Sequence, residues 1–322
     1  MIETSVKTFA LIGACGYIAP RHLKAIRDTG NVLVAALDRS DSAGIMDQYF
    51  PEAHFFTEFE RFDRHIEKLR RKGHRVDYVT ICSPNYLHDA HVRFAMRIGA
   101  DAICEKPLVI NPWNAEALGE IEAETGRRIN TILQLRLHPA IRRLKDQIAA
   151  ASADKIYDVD LTYITSRGRW YQASWKGDTS KSGGIATNIG IHFFDMLTWI
   201  FGSVQDNRVH LYEPTRASGF LHLQKARVRW FLSIDRTDLP TDSEPGKPAT
   251  YRSIAIDGKE VEFSEGFTDL HTESYRQILA GAGFRWQEVL PSIQIVYDIR
   301  NTKPASPGGD AHPMIGRCGI TV

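Results

Sequence analysis

The sequence predicts an α/β chain of two domains, a doubly wound parallel sheet followed by an α/β domain on a largely antiparallel sheet. Three observations carry this. Short apolar strands alternate with helical stretches as far as Leu133, the pattern of a parallel sheet with helices on both faces. A period of two then takes over in Tyr157-Asp158-Val159-Asp160-Leu161-Thr162-Tyr163, which reads as a half-buried strand. A chain of 322 residues is also long enough to build two cores. The expected division is 1–133, 134–302 and a C-terminal tail, 303–322.

The first domain opens with a strand from Lys7 to Ile12, the turn Gly13-Ala14-Cys15-Gly16 and a helix from Ala19 to Asp28. Val32 to Leu37 is the second strand and ends at Asp38. Val76 to Ile81 and Ala102 to Cys104 are further strands, with a helix from His88 to Ile98 between them. A helix from Trp113 to Thr125 then leads to a strand from Arg128 to Leu133. In the second domain, Lys155 to Ser166 and Arg227 to Ile234 read as strands. Ser253 to Asp257 and Val261 to Ser264 form a hairpin around Asp257-Gly258. Thr237 to Thr250, rich in Pro, Asp and Thr, is expected to be a surface loop, and the Pro- and Gly-rich stretch beyond Lys303 a loosely ordered tail.

Composition excludes several classes. Lys+Arg 40 against Asp+Glu 39 leaves a net charge of +1, so bulk charge advertises neither nucleic acid nor an acidic membrane. The basic run Lys68 to Lys72 reads as a solvated helix face. No apolar stretch approaches the roughly 20 residues of a membrane span, and the first apolar run comes too early for a signal peptide. Cys15, Cys82, Cys104 and Cys318 include no CxxC pair, which suits free thiols in a reducing cytoplasm and gives no metal site.

Candidate chemistry gathers at strand ends. Glu105-Lys106-Pro107 follows the apolar triplet Ala102-Ile103-Cys104, so Lys106 stands at the carboxyl end of a buried strand, where open α/β sheets bind ligands. A lysine so placed serves as acid or base when burial or nearby positive charge lowers its pKa, and Pro107 fixes the chain direction behind it. Gly13, Cys15, Gly16, Tyr17 and Ile18 form a glycine loop between strand and helix that approximates a dinucleotide fingerprint, although its spacing is Gly-x-x-Gly. Asp38 ends the next strand, where a carboxylate accepts the adenosine ribose hydroxyls. This favours NAD over NADP, while Arg39 beside it keeps NADP open. Ser83-Pro84-Asn85 and His88 line the same crevice, and Glu105 and Lys106 complete the expected cofactor set. In the second domain a Gly-rich segment, Gly183 to Gly190, opens an apolar helix; Asn188 and His192, four apart, are expected on one helical face.

The glycine loop with His22 after it, Asp38, Glu105-Lys106-Pro107 and the segment ending at His192 together resemble the Gfo/Idh/MocA oxidoreductase family. The resemblance implies a Rossmann domain, a second α/β domain whose open sheet mediates oligomer contacts, and a homotetramer as the likeliest assembly. It also implies hydride transfer between a sugar-like alcohol and nicotinamide, with Lys106 and His192 as the catalytic pair. Many members carry aspartate where Asn188 stands; asparagine positions a substrate but takes no proton, so either Lys106 or His192 is left as the base.

Longer segments are similar to one branch of the family. They include Gly16 to His22, Cys82 to His88, Leu161 to Gly168, Ser174 to Asp178 and Phe263 to His271. That branch oxidises the C3 hydroxyl of UDP-N-acetyl-2-amino-2-deoxy-D-glucuronate in bacterial surface-polysaccharide synthesis, with 2-oxoglutarate as a candidate oxidant of the NADH. For such an anionic substrate, Arg167, Tyr171, Trp175 and Lys176 supply cations and aromatic faces just before the His192 helix. Arg136 is a further candidate, with a domain-junction salt bridge as the equal alternative. Two other readings remain: a family member acting on another sugar or polyol, and a non-catalytic NAD-binding regulator, against which the joint presence of Lys106 and His192 argues.

Overall fold

The computed structural model describes residues 6–240, 250–261 and 269–317. Its packing divides the chain into one unit of Met1–Leu137 with Thr268–Leu290, and another of His138–Phe267 with Pro291–Val322.

The first unit is a six-stranded sheet. Its strands are β1 (Thr8–Ile12), β2 (Val32–Leu37), β3 (His54–Phe56), β4 (Tyr78–Ile81), β5 (Asp101–Cys104) and β6 (Ile129–Thr131). They lie in the order β3-β2-β1-β4-β5-β6, and every pair is parallel. The helices between them are α1 (Ala19–Asp28), α2 (Ile45–Tyr49), α3 (Phe59–Arg71), α4 (His88–Arg97) and α5 (Pro112–Thr125). Strand order reverses between β1 and β4, which sets a crevice at the carboxyl ends of these two strands.

Helix α1 shows why the layer forms. Ala19, His22, Leu23, Ala25 and Ile26 make its buried stripe, Pro20 sits in its first turn, and Gly30 (φ +75°) follows its end. On α3 the basic run is solvated as expected: Arg70 and Arg71 both pair with Glu67. The sequence division at 133 left out one segment that belongs here. Helix α10 (Leu270–Leu279) packs back onto this unit, where Tyr275 and Ile278 join Phe9, Leu23, Ile26 and Ile103 in one apolar core.

The second unit is a six-stranded mixed sheet, β12-β11-β7-β10-β9-β8. Its strands are β7 (Tyr157–Thr165), β8 (Val204–Tyr212), β9 (Arg216–Leu223), β10 (Ala226–Ser233), β11 (Thr250–Ile256) and β12 (Lys259–Glu260). Only β7 and β10 pair in parallel; the other neighbours are antiparallel. Its helices are α6 (Pro139–Ala150), α7 (Trp170–Ala173), α8 (Thr179–Ser182), α9 (Ile191–Phe201) and α12 (Met314–Arg317), while α11 (Trp286–Asn301) carries Pro291, at which the two units divide. Phe194 of α9 meets Trp230 of β10 edge to face at 5.3 Å, anchoring this core.

The hairpin turn Asp257-Gly258 is present with φ of 49° and 76°; its described return strand, Lys259–Glu260, starts ahead of the expected Val261, whose N–H donates to Ile254 O at 2.8 Å. A two-residue turn of this kind starts the pairing at the very next residue; residues 262–264 lie outside the described ones. Of the expected loop, Thr237 lies in a 3-10 turn and Thr250 opens β11, and residues 241–249 lie outside the description, as does Cys318. The stretch beyond Lys303 is not loose throughout. His312 stacks on Phe231 and bonds Thr162 Oγ1 at 3.2 Å, and Ile315 is fully buried. Among the described residues, no helix is long and apolar enough to cross a membrane.

Candidate active site

In the first unit the candidate residues stand where β1, β2, β4 and β5 end. Gly13 N–H donates to Leu37 O, Cys82 N–H to Ile12 O and Glu105 N–H to Ile81 O, which aligns the four strand exits. Gly13 has φ +93°, and a Cβ there would lie 2.6 Å from the Cys82 carbonyl carbon and oxygen. Only glycine lets the loop pass this close to the neighbouring strand end. Asp38 closes the loop: its Oδ2 accepts from Cys15 N–H and its Oδ1 from Ser40 N–H, each at 2.9 Å. Burial and then the Asp38 charge push the Cys15 thiol up to about 11, so it stays protonated. No side chain caps the N-terminus of α1; its first N–H groups, on Ala19 and Arg21, donate to Gly16 O and Ile18 O of the loop itself. A glycine loop at the strand ends, closed by Asp38, fits the dinucleotide expected from the sequence.

Glu105, Lys106 and Pro107 follow β5, and the Lys106–Pro107 peptide is cis. The two flanking residues are buried, whereas Lys106 is half-buried. Glu105 was expected to contact cofactor; instead its Oε1 accepts from His22 Nε2 at 2.9 Å and His271 Nε2 at 3.0 Å. Burial pushes the Glu105 carboxyl up, but these two bonds outweigh it and hold the group well below the usual carboxylate range. Burial drives His22 the other way, below the ordinary imidazole value, so its ring is neutral. His88, also expected at the cofactor, is 1% exposed and turns its Nδ1 to Pro107 O (2.6 Å) and its Nε2 to Ser83 O (2.8 Å). Both corrections have one cause. These side chains are enclosed by the fold and consumed in fastening the loop backbone. Ser83 is likewise buried with its hydroxyl on His91 Nδ1, while Pro84, Tyr17, Ile18 and Arg39 keep partial or full exposure and Asn85 is buried.

Arg136 makes a salt bridge, the alternative held equal to a substrate role. It is buried, pairs with Glu288 Oε1 at 3.0 Å, bonds the Glu288 carbonyl and lies over Phe284. Arginine and partners belong to one unit.

In the second unit Asn188 lies in a π-helical turn, Ala186–Gly190, and His192 in the first turn of α9. A π turn holds more residues than an α turn, so the expected four-residue spacing on one regular face does not describe this segment; such turns often mark functional sites. From Ser182 to Leu197 every residue is buried except Asn188 and His192. Asn188 Nδ2 donates to Tyr171 Oη at 2.5 Å. The His192 ring meets Tyr163 edge-on at 5.9 Å, and the Arg252 guanidinium lies over Tyr163 at 5.8 Å. Lys176 lies over Trp170 and Trp175 at 5.1 and 5.6 Å; burial, and then Arg167, lower its pKa. Tyr171, Asn188, Trp175 and Lys176 thus share one region with Arg167. Tyr163 and Arg252 were missed from sequence, because a strand's period of two shows which face a residue takes and not which loop lies over it.

The family model for the oxidoreductase family with an NAD-binding Rossmann fold matches residues 7–132, and that for the family's C-terminal α/β domain matches residues 145–235. The chain belongs to the Gfo/Idh/MocA oxidoreductase family. Among solved structures it is similar to the WlbA (WbpB) dehydrogenase from Thermus thermophilus in complex with NAD and UDP-GlcNAcA. The two are 51% identical with a TM-score of 0.92, over 96% of this chain and 99% of that one. The same dehydrogenase in complex with NAD and alpha-ketoglutarate matches at 52% identity and TM-score 0.92, with the same coverage. A curated relative is the D-glucoside 3-dehydrogenase of Escherichia coli, 27% identical over 42% of this chain and 40% of its own. A second is the inositol 2-dehydrogenase of Rhizobium meliloti, 29% identical over 60% and 54%. This chain therefore spans about half or less of the curated relatives it matches.

Proposed function

We propose that the protein is an NAD-dependent dehydrogenase that oxidises the C3 hydroxyl of UDP-N-acetyl-2-amino-2-deoxy-D-glucuronate to the 3-keto sugar. The observation that carries this is the 51% identity, spread over 96% of the chain, with a dehydrogenase solved in complex with NAD and UDP-GlcNAcA. The second complex of that dehydrogenase, with NAD and alpha-ketoglutarate, supports 2-oxoglutarate as the partner that returns NADH to NAD. We place the reaction in surface-polysaccharide sugar synthesis in the bacterial cytoplasm, carried out by a homotetramer.

NAD, when bound, accepts the hydride from the sugar carbon. Gly13, Cys15, Gly16, Tyr17 and Ile18 would hold its pyrophosphate and Asp38 its ribose, with Ser83, Pro84, Asn85 and Arg39 beside them. Lys106 takes the proton from the C3 hydroxyl oxygen, and His192 donates a hydrogen bond to the same oxygen as it becomes a ketone. Support for Lys106 as the base comes from two sides. Asn188 takes no proton, and the carboxylate adjoining Lys106 is bound by His22 and His271. Asn188 orients the sugar, its amide set by Tyr171. Arg167 and Lys176 bind the substrate's anionic groups, and Trp175 packs on a ring.

The test is incubation with NAD and the UDP-sugar acid, following NADH absorbance and the keto product by mass. A parallel arm adds 2-oxoglutarate and measures 2-hydroxyglutarate. Absence of keto product in both arms sinks the substrate assignment. The E. coli relative supports a second reading, oxidation at C3 of a sugar without the nucleotide. Equal kcat/KM with and without the UDP group would favour it.

A further inference from the structure

The buried group behind the Lys106 loop has more order than packing requires. Glu105 as a carboxylate only accepts hydrogen bonds, so both imidazole Nε2 atoms that face its Oε1 must carry protons. His22 is neutral, which leaves its Nδ1 as an acceptor. Tyr275 Oη lies 2.9 Å from that Nδ1, and Thr80 Oγ1 lies 2.8 Å from Tyr275 Oη. With His22 neutral, the Tyr275 hydroxyl donates to His22 Nδ1 and the Thr80 hydroxyl donates to Tyr275. Glu105 thus selects the His22 tautomer, and Tyr275 supports it by donating to the Nδ1 lone pair that this tautomer leaves. Glu105 in turn accepts from the Lys106 backbone N–H at 3.2 Å through its other oxygen. All of these groups lie in the first unit, and Tyr275 comes from the returning helix α10.

We infer that Tyr275, His22 and His271 are positioning residues that hold Glu105, and through it the loop bearing Lys106, in the geometry the reaction needs. The inference rests on the catalytic reading of Lys106. His22, Glu105 and His271 also form a donor set that a metal ion would accept, with ligand atoms within 4.8 Å of one another. A metal would need lone pairs on the nitrogens that here point N–H groups at Glu105, so the hydrogen-bonded relay and a metal site exclude each other.

Variants, the ring-nitrogen shifts of His22 and a chelator arm test it. Tyr275→Phe keeps the ring volume and removes only the donor; kcat should fall about tenfold or more, as misplaced catalytic groups do, with NAD affinity within twofold of wild type. Thr80→Val, which leaves the Tyr275 donor in place, should keep kcat within twofold, whereas a merely structural role would weigh the two changes alike. His22→Gln added to Tyr275→Phe supplies an amide donor that needs no tautomer control and should recover most of the lost kcat. In the wild-type protein, ¹⁵N shifts of the labelled His22 ring should show the proton on Nε2, a readout that requires no variant to fold. A proton on Nδ1, full activity of Tyr275→Phe, no recovery in the double variant, or a kcat abolished by chelator and restored by zinc would each overturn the relay. Lys106→Met separates the two levels. If it is inactive while Tyr275→Phe runs at full rate, the relay alone fails; if it stays active, the catalytic reading beneath it fails.

Discussion

In the first unit the tripeptide Glu105-Lys106-Pro107 is fastened at both flanks by buried imidazoles, and the partners are themselves enclosed. In the second unit Asn188 and His192 are the two open positions of a buried run, and their surroundings are ring faces, a tyrosine hydroxyl and the half-buried Lys176. Hydrogen bonds of fixed direction hold one point to within tenths of an ångström; stacked rings and cation–π contacts tolerate sliding. The contrast suits a division of labour between the fastened loop, which sets the proposed base, and the Tyr171–Asn188 pair, which would accommodate the substrate. Changes at Glu105 and its partners should then act on kcat and changes at Tyr171 and Asn188 on KM. His192, assigned to the developing ketone, should act on kcat.

The largest expected effect is at Lys106. Lys106→Met should lower kcat by about a thousandfold, within the usual range for a lost acid–base group. NAD binding measured by calorimetry should change little, because the glycine loop and Asp38 are untouched. An unchanged kcat would break the comparison at its root.

Acid should discriminate next. Burial, with His88 adding to it, pushes His91 down to about 4, and burial pushes His312 down to about 4, with Arg229 adding and Asp160 opposing. A histidine that stays neutral in the fold gives the unfolded chain more protons between its folded value and about 6.5. Stability is then complete above pH 6.5 and declines as pH falls toward 4, by about 3 kcal/mol for each such ring at most. The first unit also buries His22, pushed below the ordinary value by burial. It should therefore lose protection first when hydrogen exchange is followed from pH 7 to pH 4.5. His91→Gln should flatten the decline; a slope identical to wild type would refute it.

A stability effect of about 1–3 kcal/mol is expected from Gly119→Ala, since overpacking costs that much. A Cβ at Gly119 on α5 would lie 2.3 Å from Trp286 Cζ2, so the change strikes the contact by which the returning segment closes the first unit. Thermal denaturation should show a lower midpoint; a rise, as helix propensity alone would give, would show that Trp286 moves aside.

The closing segment also marks where the sequence stopped being legible. The glycine loop, Asp38 and Lys106 stand out because each sits at the end of a short apolar run, and strand ends in a parallel sheet converge. The bonds from Glu105 to His271 and from His22 to Tyr275 join residues 166 and 253 apart in the chain, and no local pattern encodes such a meeting. His22 and His271 were visible as parts of matching segments without a role attached. Strand β8 escaped because its first half, Val204-Gln205-Asp206-Asn207-Arg208, is polar on both faces and shows no period of two. The π turn at Asn188 has no sequence period of its own.

The smallest effect should come from Tyr171→Phe, and it sharpens the comparison most. Tyr171 is 3% exposed and accepts the Asn188 amide at 2.5 Å; burial pushes its phenol up, with the Asn188 bond opposing, so it remains a neutral hydroxyl. Phenylalanine keeps the ring packing and removes only the acceptor, a loss of about 1 kcal/mol for a neutral hydrogen bond, or roughly fivefold. If Asn188 orients the sugar equally before and during reaction, that loss appears in KM with kcat intact. A fall in kcat with KM unchanged would mean instead that Asn188 acts only in the transition state, and the Tyr171–Asn188 pair would then share in setting the reacting geometry. Asn188→Ala in the same assay should raise KM further, and if Tyr171 acts on the substrate through Asn188, the double variant should match Asn188→Ala alone.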